Sequence, residues 1–239
     1  MIEQNGVYSY GGKGMQYNEL VSQATSFVSK MLRKRFGKGP ESVHIVLSDR
    51  CILIHLRNFL SPVEEFLLSQ EEEQAFRYTR ELIMKSMLPE LKVFLNDHLD
   101  LKVTDMYYDW GLHNSSGVIA GLFGSSWMET EDYQGKNEIH DQVMKVTAEV
   151  QKTPAFIDSW WVHPRLLIIF RKGITILLEK ELIDLGYENI LKSTKRKLEK
   201  RLLEQHVDLE CILQKKLVDL YADWNFERDQ SMVVYVFEE

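Results

Sequence analysis

Two short stretches repeat one pattern of carboxylates and aromatics: Asp105-Met-Tyr107-Tyr-Asp109-Trp110 and Asp219-Leu-Tyr221-Ala-Asp223-Trp224. Paired carboxylates are the material of metal sites and of acid–base catalysis. The spacing argues against both uses. On an extended strand, residues two apart share a face, so Asp105, Tyr107 and Asp109 point one way and Trp110 the other. Aspartates four residues apart then lie about 13 Å from each other, at ~3.3 Å per residue. That is too far for one metal ion, and beyond the roughly 9.5 Å limit of a glycosidase pair. The pattern predicts instead an outer strand face of cross-strand salt bridges, with Arg57 and Arg171 as the natural partners. The same residues, Asp105, Tyr107, Asp109, Asp219, Tyr221 and Asp223, are the candidates for an interaction surface. Trp110 and Trp224 are expected in the core.

A second candidate is Gly37-Lys38-Gly39-Pro40. Glycine permits the positive φ that turns successive N–H groups into an anion-binding nest. Gly37, Lys38 and Gly39, with Arg57 and Arg171 as further cations, are the anion or small-ligand candidates. The phosphate-loop pattern GxxxxGK[ST] is absent, and the competing reading is a plain helix C-cap. Seven histidines show neither HExxH nor another ligand spacing, although His44 and His55 fall on adjacent expected strands. There is no Gly-x-Ser-x-Gly elbow, and neither Cys51 nor Cys211 sits in a nucleophile context. Both cysteines are expected to pack as small apolar residues. No catalytic residue, metal or cofactor is assigned. Trp160-Trp161 lies on an expected strand, so one indole should face outward as an interface hint.

Two basic clusters complete the inventory. Lys30, Arg33, Lys34, Arg35 and Lys38 end the first helix, where cations suit the negative end of the helix dipole. Lys192, Lys195, Arg196, Lys197, Lys200 and Arg201 are interleaved with Glu199 and Glu204 and read as a solvated face. Either cluster could meet an acidic protein or an anionic membrane surface.

These residues are positioned by a duplicated module. The two aspartate motifs are 114 residues apart, and Pro40 falls on Pro154, Ile54 on Ile168, Arg57 on Arg171 and Glu65 on Glu179 without a gap. The modules are expected at 15–123 and 129–239, with a polar tail over 1–14 and a linker over 124–135. In each copy an amphipathic helix (16–36 in the first) precedes two short apolar strands, 43–47 and 51–57. Their even positions, Ile52, Ile54 and Leu56, matched by Leu166, Ile168 and Phe170, are expected to face the core. Ser61-Pro62-Val-Glu64 starts a short helix. Ser69-Gln-Glu-Glu72 offers a second capping box for a long one, which Pro89 should kink. Copy two, with Leu203 there, should be straighter. A hairpin closes each copy. The order α-β-β-α-α-β-β implies an α+β fold: two tandem two-layer sandwiches, each with helices on one face of an antiparallel four-stranded sheet. The second face must be solvated or paired, and the two copies could pair with each other.

Bulk properties set further limits. The chain has 239 residues and a net charge of −7, which argues against nucleic acid as a partner. No apolar run approaches the ~20 residues that span a bilayer. The N-terminus lacks a basic region followed by an apolar core, so no signal peptide is expected. The reading is cytoplasmic.

Taken together, the helix ending Gly37-Lys-Gly-Pro40, the two strands after it, Gly173-Ile-Thr175-Ile-Leu-Leu-Glu179, the basic helix and the Asp-x-x-x-Asp before a last apolar strand resemble the MpsC-like family of small bacterial proteins. Ordinary members are similar to one copy, so this chain looks like a tandem version. The family label implies a soluble accessory role beside a sodium-translocating, membrane-potential-generating system, and no known reaction. Copy one keeps the Gly-x-Gly-Pro turn. Copy two keeps Gly173, Thr175 and Glu179 but has Gln151-Lys-Thr-Pro154 at the turn. Two copies could divide the roles or mimic a homodimer of single-copy relatives; the oligomeric state stays open. The leading expectation is a non-enzymatic accessory protein with a protein partner, such as a membrane transport subunit. The alternative is a small-ligand or anion sensor, or an unrecognised enzyme, using the Gly37–Pro40 loop and a cleft between the copies.

Overall fold

The computed structural model describes residues 17–124 and 132–238; the expected tail and most of the expected linker lie outside them. Contacts divide the chain into two units. Unit 1 takes residues up to 106 and those from 112 to 125; unit 2 takes Tyr107–Gly111 and everything from residue 126 onward.

The chain runs α1 (Tyr17–Phe36), β1 (Ser42–Leu47), β2 (Cys51–Arg57), α2 (Pro62–Ser69), α3 (Glu73–Asp97), β3 (Val103–Gly111) and β4 (Ser116–Phe123). It then repeats as α4 (Lys136–Val150), β5 (Phe156–His163), β6 (Leu166–Lys172), α5 (Leu177–Asp184), α6 (Glu188–His206), a one-turn α7 (Leu209–Leu213), β7 (Leu217–Asn225) and β8 (Gln230–Phe237). Two four-stranded sheets result, ordered β1-β2-β4-β3 and β5-β6-β8-β7. The α+β architecture in two tandem copies is as the sequence implies, with α7 an addition in copy two.

Local chemistry accounts for most elements. α1 buries Leu20, Ala24, Val28, Met31, Leu32 and Phe36 along one side, the 3.6-residue stripe that drives an amphipathic helix onto a sheet. In β1–β2, His44 lies directly opposite His55. α2 starts with a complete capping box: the Ser61 hydroxyl accepts from the Glu64 N–H at 3.4 Å, and the Glu64 carboxylate accepts from the Ser61 N–H at 2.8 Å. The second expected box does not form. Ser69 is the last residue of α2 and its hydroxyl donates to the Phe66 carbonyl, while α3 begins after Glu72 with no side-chain cap. α3 runs unbroken through Pro89.

The core of unit 2 corrects the face assignment. Ile139, Val143 and Val146 of α4 and Leu203 of α6 pack on Leu167 and Ile169 of β6, Leu220, Ala222 and Trp224 of β7, and Val233, Tyr235 and Phe237 of β8. The helices therefore cover the odd positions of β6, not the expected even ones. Leu166, Ile168 and Phe170 point to the opposite face and are just as buried. Apolar side chains at both parities leave the pleat without a sequence signal for which side meets the helices.

The repeat also carries an internal slip. Glu64 and Glu179 each occupy the third position of a short helix and bond back to the chain at its start. Each also pairs with a cation sixteen residues on, Arg80 and Lys195. Their offset is 115, whereas the aspartate motifs keep 114. One extra residue therefore precedes α5, and one fewer separates Lys195 from Asp219 than Arg80 from Asp105. Glu65, the residue aligned without a gap, is exposed and pairs with Lys38.

Candidate functional site

α6 carries three cations four residues apart, Lys192, Arg196 and Lys200, which places them on one side of the helix. Lys192 and Arg196 are buried and Lys200 is partly so. In unit 2 they meet the C-terminal aspartates of both motifs. Lys200 Nζ lies 2.9 Å and Arg196 Nε 3.3 Å from Asp109. Arg196 Nη2 lies 2.8 Å and Lys192 Nζ 3.1 Å from Asp223. Arg196 thus bridges the two carboxylates.

The aspartates also accept backbone hydrogen bonds. The Ala222 N–H donates to Asp109 at 2.9 Å, and the Tyr108 N–H donates to Asp223 at 2.8 Å. These bonds are reciprocal at the repeat offset, each aspartate capping the residue that precedes the other. Aromatic rings complete the setting: Lys192 and Arg196 stand over Tyr108, and Lys200 over Tyr221. Burial pushes the Asp109 carboxyl up. The charges of Lys200 and Arg196, with the hydrogen bonds from Ala222 and Lys200, outweigh it and hold the carboxyl below its usual range.

A second buried group adjoins on α6. Lys195 donates to Glu179 at 2.7 Å. Burial lowers the Lys195 ammonium against the pull of Glu179. Arg171, fully buried, donates to Ser231 at 2.9 Å, to Thr147 at 2.7 Å and to Glu199. Arg57, which aligns with Arg171 only in the ungapped register, is exposed at the end of β2, the place that Lys172 takes at the end of β6. The Arg171–Glu199 pair therefore belongs to copy two. Unit 1 has its own buried pair: Arg80 donates to Glu64 and to the Phe59 carbonyl, among the rings of Phe36, Phe59 and Phe76.

This arrangement corrects several expectations. The motif aspartates are buried, and the cations that hold Asp109 and Asp223 come from α6, not from Arg57 or Arg171. Of the α6 cations that read as a solvated face, Lys197 and Arg201 are exposed, while Lys192, Lys195 and Arg196 are buried and Lys200 is partly so. Asp105 is buried and accepts from the Thr104 hydroxyl at 2.8 Å. Tyr107 donates to Gln230 at 3.2 Å. Asp219 accepts from the Leu220 N–H and from the Tyr221 hydroxyl. Trp110 and Trp224 are buried as expected. Neither indole of Trp160-Trp161 is exposed: Trp160 is buried, and Trp161 packs against the unit 2 core beside Tyr133 and Phe237. Cys51 is buried, but Cys211 is exposed.

The glycine turn resolves toward capping. Gly37 has φ +76° and its N–H donates to the Arg33 carbonyl at 3.0 Å, closing α1. Gly39 is not in the left-handed region. Lys38 is paired with Glu65 at 3.3 Å.

One cluster escaped the sequence reading. Ser159 of β5 lies 2.7 Å from His140 Nε2 and 2.6 Å from the Tyr133 hydroxyl. Burial lowers the His140 imidazole, helped by Lys136, and raises Tyr133 to about 12. A serine beside a histidine is the start of a nucleophile, but Ser159 has no exposed surface, so this hydroxyl ties β5 to α4. Nothing in the sequence linked three residues that lie 7 to 26 positions apart. Among the described residues, no group of three or more His, Cys, Asp or Glu side chains could hold a metal ion. No helix among them is long and apolar enough to cross a membrane.

Comparison with known protein families gives a match over both copies. The family model described as Na+-translocating membrane potential-generating system (MpsC) matches residues 16–125 and again 134–239. No curated protein and no solved structure matches the chain.

Proposed function

The chain belongs to the MpsC family, and from that premise we propose that it is a non-enzymatic cytoplasmic accessory protein of a sodium-translocating, membrane-potential-generating system, acting by binding a transport subunit. The observation that carries this reading is the match of both copies to the family model. The fate of the doubled aspartates supports it. Asp109 and Asp223 are engaged by Lys192, Arg196, Lys200 and two backbone N–H groups, which is a structural duty. What the chain offers to a protein partner is apolar surface on α5, where Leu177 and Leu178 are each more than half exposed.

The test is affinity capture of the tagged chain, expressed at native level, from gently solubilised membranes. A recurrent ion-transport subunit, lost when Leu177→Ser and Leu178→Ser are combined, is the expected result. Recovery of the chain without any such subunit would overturn the reading.

A further inference from the structure

We propose that unit 1 docks directly on an anionic lipid surface through the C-terminal half of α1 and the exposed side of α2. The inference rests on the accessory role at a membrane system and adds the surface that touches the bilayer.

Lys30, Arg33 and Lys34 recur at the three- and four-residue spacing that keeps them on one side of α1, and all three are exposed. Val28, Met31 and Leu32 occupy the buried side. Lys38 follows the helix end and reaches Glu65 of α2 at 3.3 Å, which brings α2 beside this cationic end. On α2, Val63 and Phe66 flank Glu65 and are 66% and 62% exposed. Three residues apart on a helix, they form one apolar spot.

Two nearby carboxylates are already held by other cations, and Glu41 accepts from the Asn58 amide. Glu65 is paired with Lys38 and Glu90 with Arg35. The charges of Lys30, Arg33 and Lys34 are therefore in local excess, although the whole chain carries −7. A nucleic acid or an acidic peptide would satisfy these cations and leave Val63 and Phe66 in water. A headgroup layer supplies anions at its surface and hydrocarbon a few ångströms below, and so matches both halves of the patch.

The experiment is flotation of the full chain with protein-free vesicles. One set is phosphatidylcholine alone and the other is phosphatidylcholine mixed with phosphatidylglycerol, each at low and high salt. The wild-type chain is expected to float with the mixed vesicles at low salt and not with phosphatidylcholine. The combined Lys30→Glu, Arg33→Glu, Lys34→Glu variant is expected to lose on the order of a hundredfold in partitioning, given the several-fold gain each basic residue makes at an anionic surface. Phe66→Ser is expected to lose the binding that survives high salt. All four side chains are exposed, and an unchanged circular dichroism spectrum checks that the variants fold. Failure of the wild type to float with anionic vesicles, or equal flotation of the charge-reversed variant, would overturn the proposal. So would equal binding to phosphatidylcholine alone. A transport subunit captured from membranes by a chain that ignores vesicles would sink this inference and leave the accessory role standing.

Discussion

Asp109→Asn isolates the charge that α6 was built to meet. The substitution keeps an acceptor for the Ala222 N–H and removes the negative charge facing Lys200 at 2.9 Å and Arg196 at 3.3 Å. At an effective dielectric of about 20, each of these attractions is worth roughly 5 kcal/mol gross. Keeping the carboxylate buried costs several kcal/mol, and breaking such a pair by removing one partner costs about 3–5 kcal/mol net. Lys200 is 19% exposed and Arg196 retains Asp223, so the lower end, about 3 kcal/mol, applies. For a chain of this length that is a fall in Tm of roughly 6–12 °C. The pH dependence gives a second reading. The Asp109 carboxyl is depressed in the folded state, so its contribution is fully present above the unfolded value near 3.9. It is lost as pH falls through the lower folded value. Urea unfolding followed by fluorescence at neutral pH and in acid should therefore show a large gap between wild type and variant that closes in acid. A loss below about 1 kcal/mol at neutral pH, the level of an exposed pair, would refute the reasoning, as would a gap independent of pH.

Further outcomes follow from the same structure. Glu199→Leu alone should cost about 3–5 kcal/mol by stranding Arg171, whereas Arg171→Leu with Glu199→Leu should be near neutral or stabilising. One guanidinium nitrogen and one carboxylate oxygen of that pair lack a hydrogen-bond partner among the described residues, and chemical denaturation of the three variants measures the difference. Gly37→Ala should cost about 1–2 kcal/mol for a left-handed φ, while Gly39→Ala should cost less, because its added Cβ meets only the Arg33 side chain at ordinary distance. Gly135→Ala should exceed both: it is also left-handed, and its Cβ would come within 2.2 Å of Ile212. Spectrophotometric titration should show a tyrosine ionising near 12, and Tyr133→Phe should remove it, since the Tyr133 hydroxyl is buried against Ser159.

How far the sequence reached follows from what patterns can encode. Helical stripes such as Leu20, Ala24, Val28 and Met31 and the capping box at Ser61–Glu64 are local signals, and both form as read. The β1–β2 strand pair was also legible, because a short turn joins two apolar runs; that His44 faces His55 is set by the register the structure shows. The inward face of β6 was not, since Leu166 to Phe170 are all apolar and either parity fits. Its one polar clue was Arg171, which shares the helix-facing parity with Leu167 and Ile169 and finds Glu199 there. The charged face of α6 was misread for an energetic reason: runs of lysine and arginine are usually hydrated. Nothing along the helix announces that Asp109, some ninety residues earlier, will neutralise Lys200. The usable signal was the match between a four-residue cation spacing at Lys192, Arg196 and Lys200 and aspartates repeated on strands whose own neighbours supply no cation. The 115-residue offset of the Glu64 and Glu179 pairs was hidden because Glu65 also aligns with Glu179 in the ungapped register.

The accessory role is tested most directly by sodium-driven membrane potential in inside-out vesicles from cells with and without this chain. The account predicts a reduced potential when the chain is missing, restored by adding back the wild-type protein and not by the variant lacking the apolar residues of α5. An undiminished sodium-dependent potential in vesicles that lack the chain would contradict it.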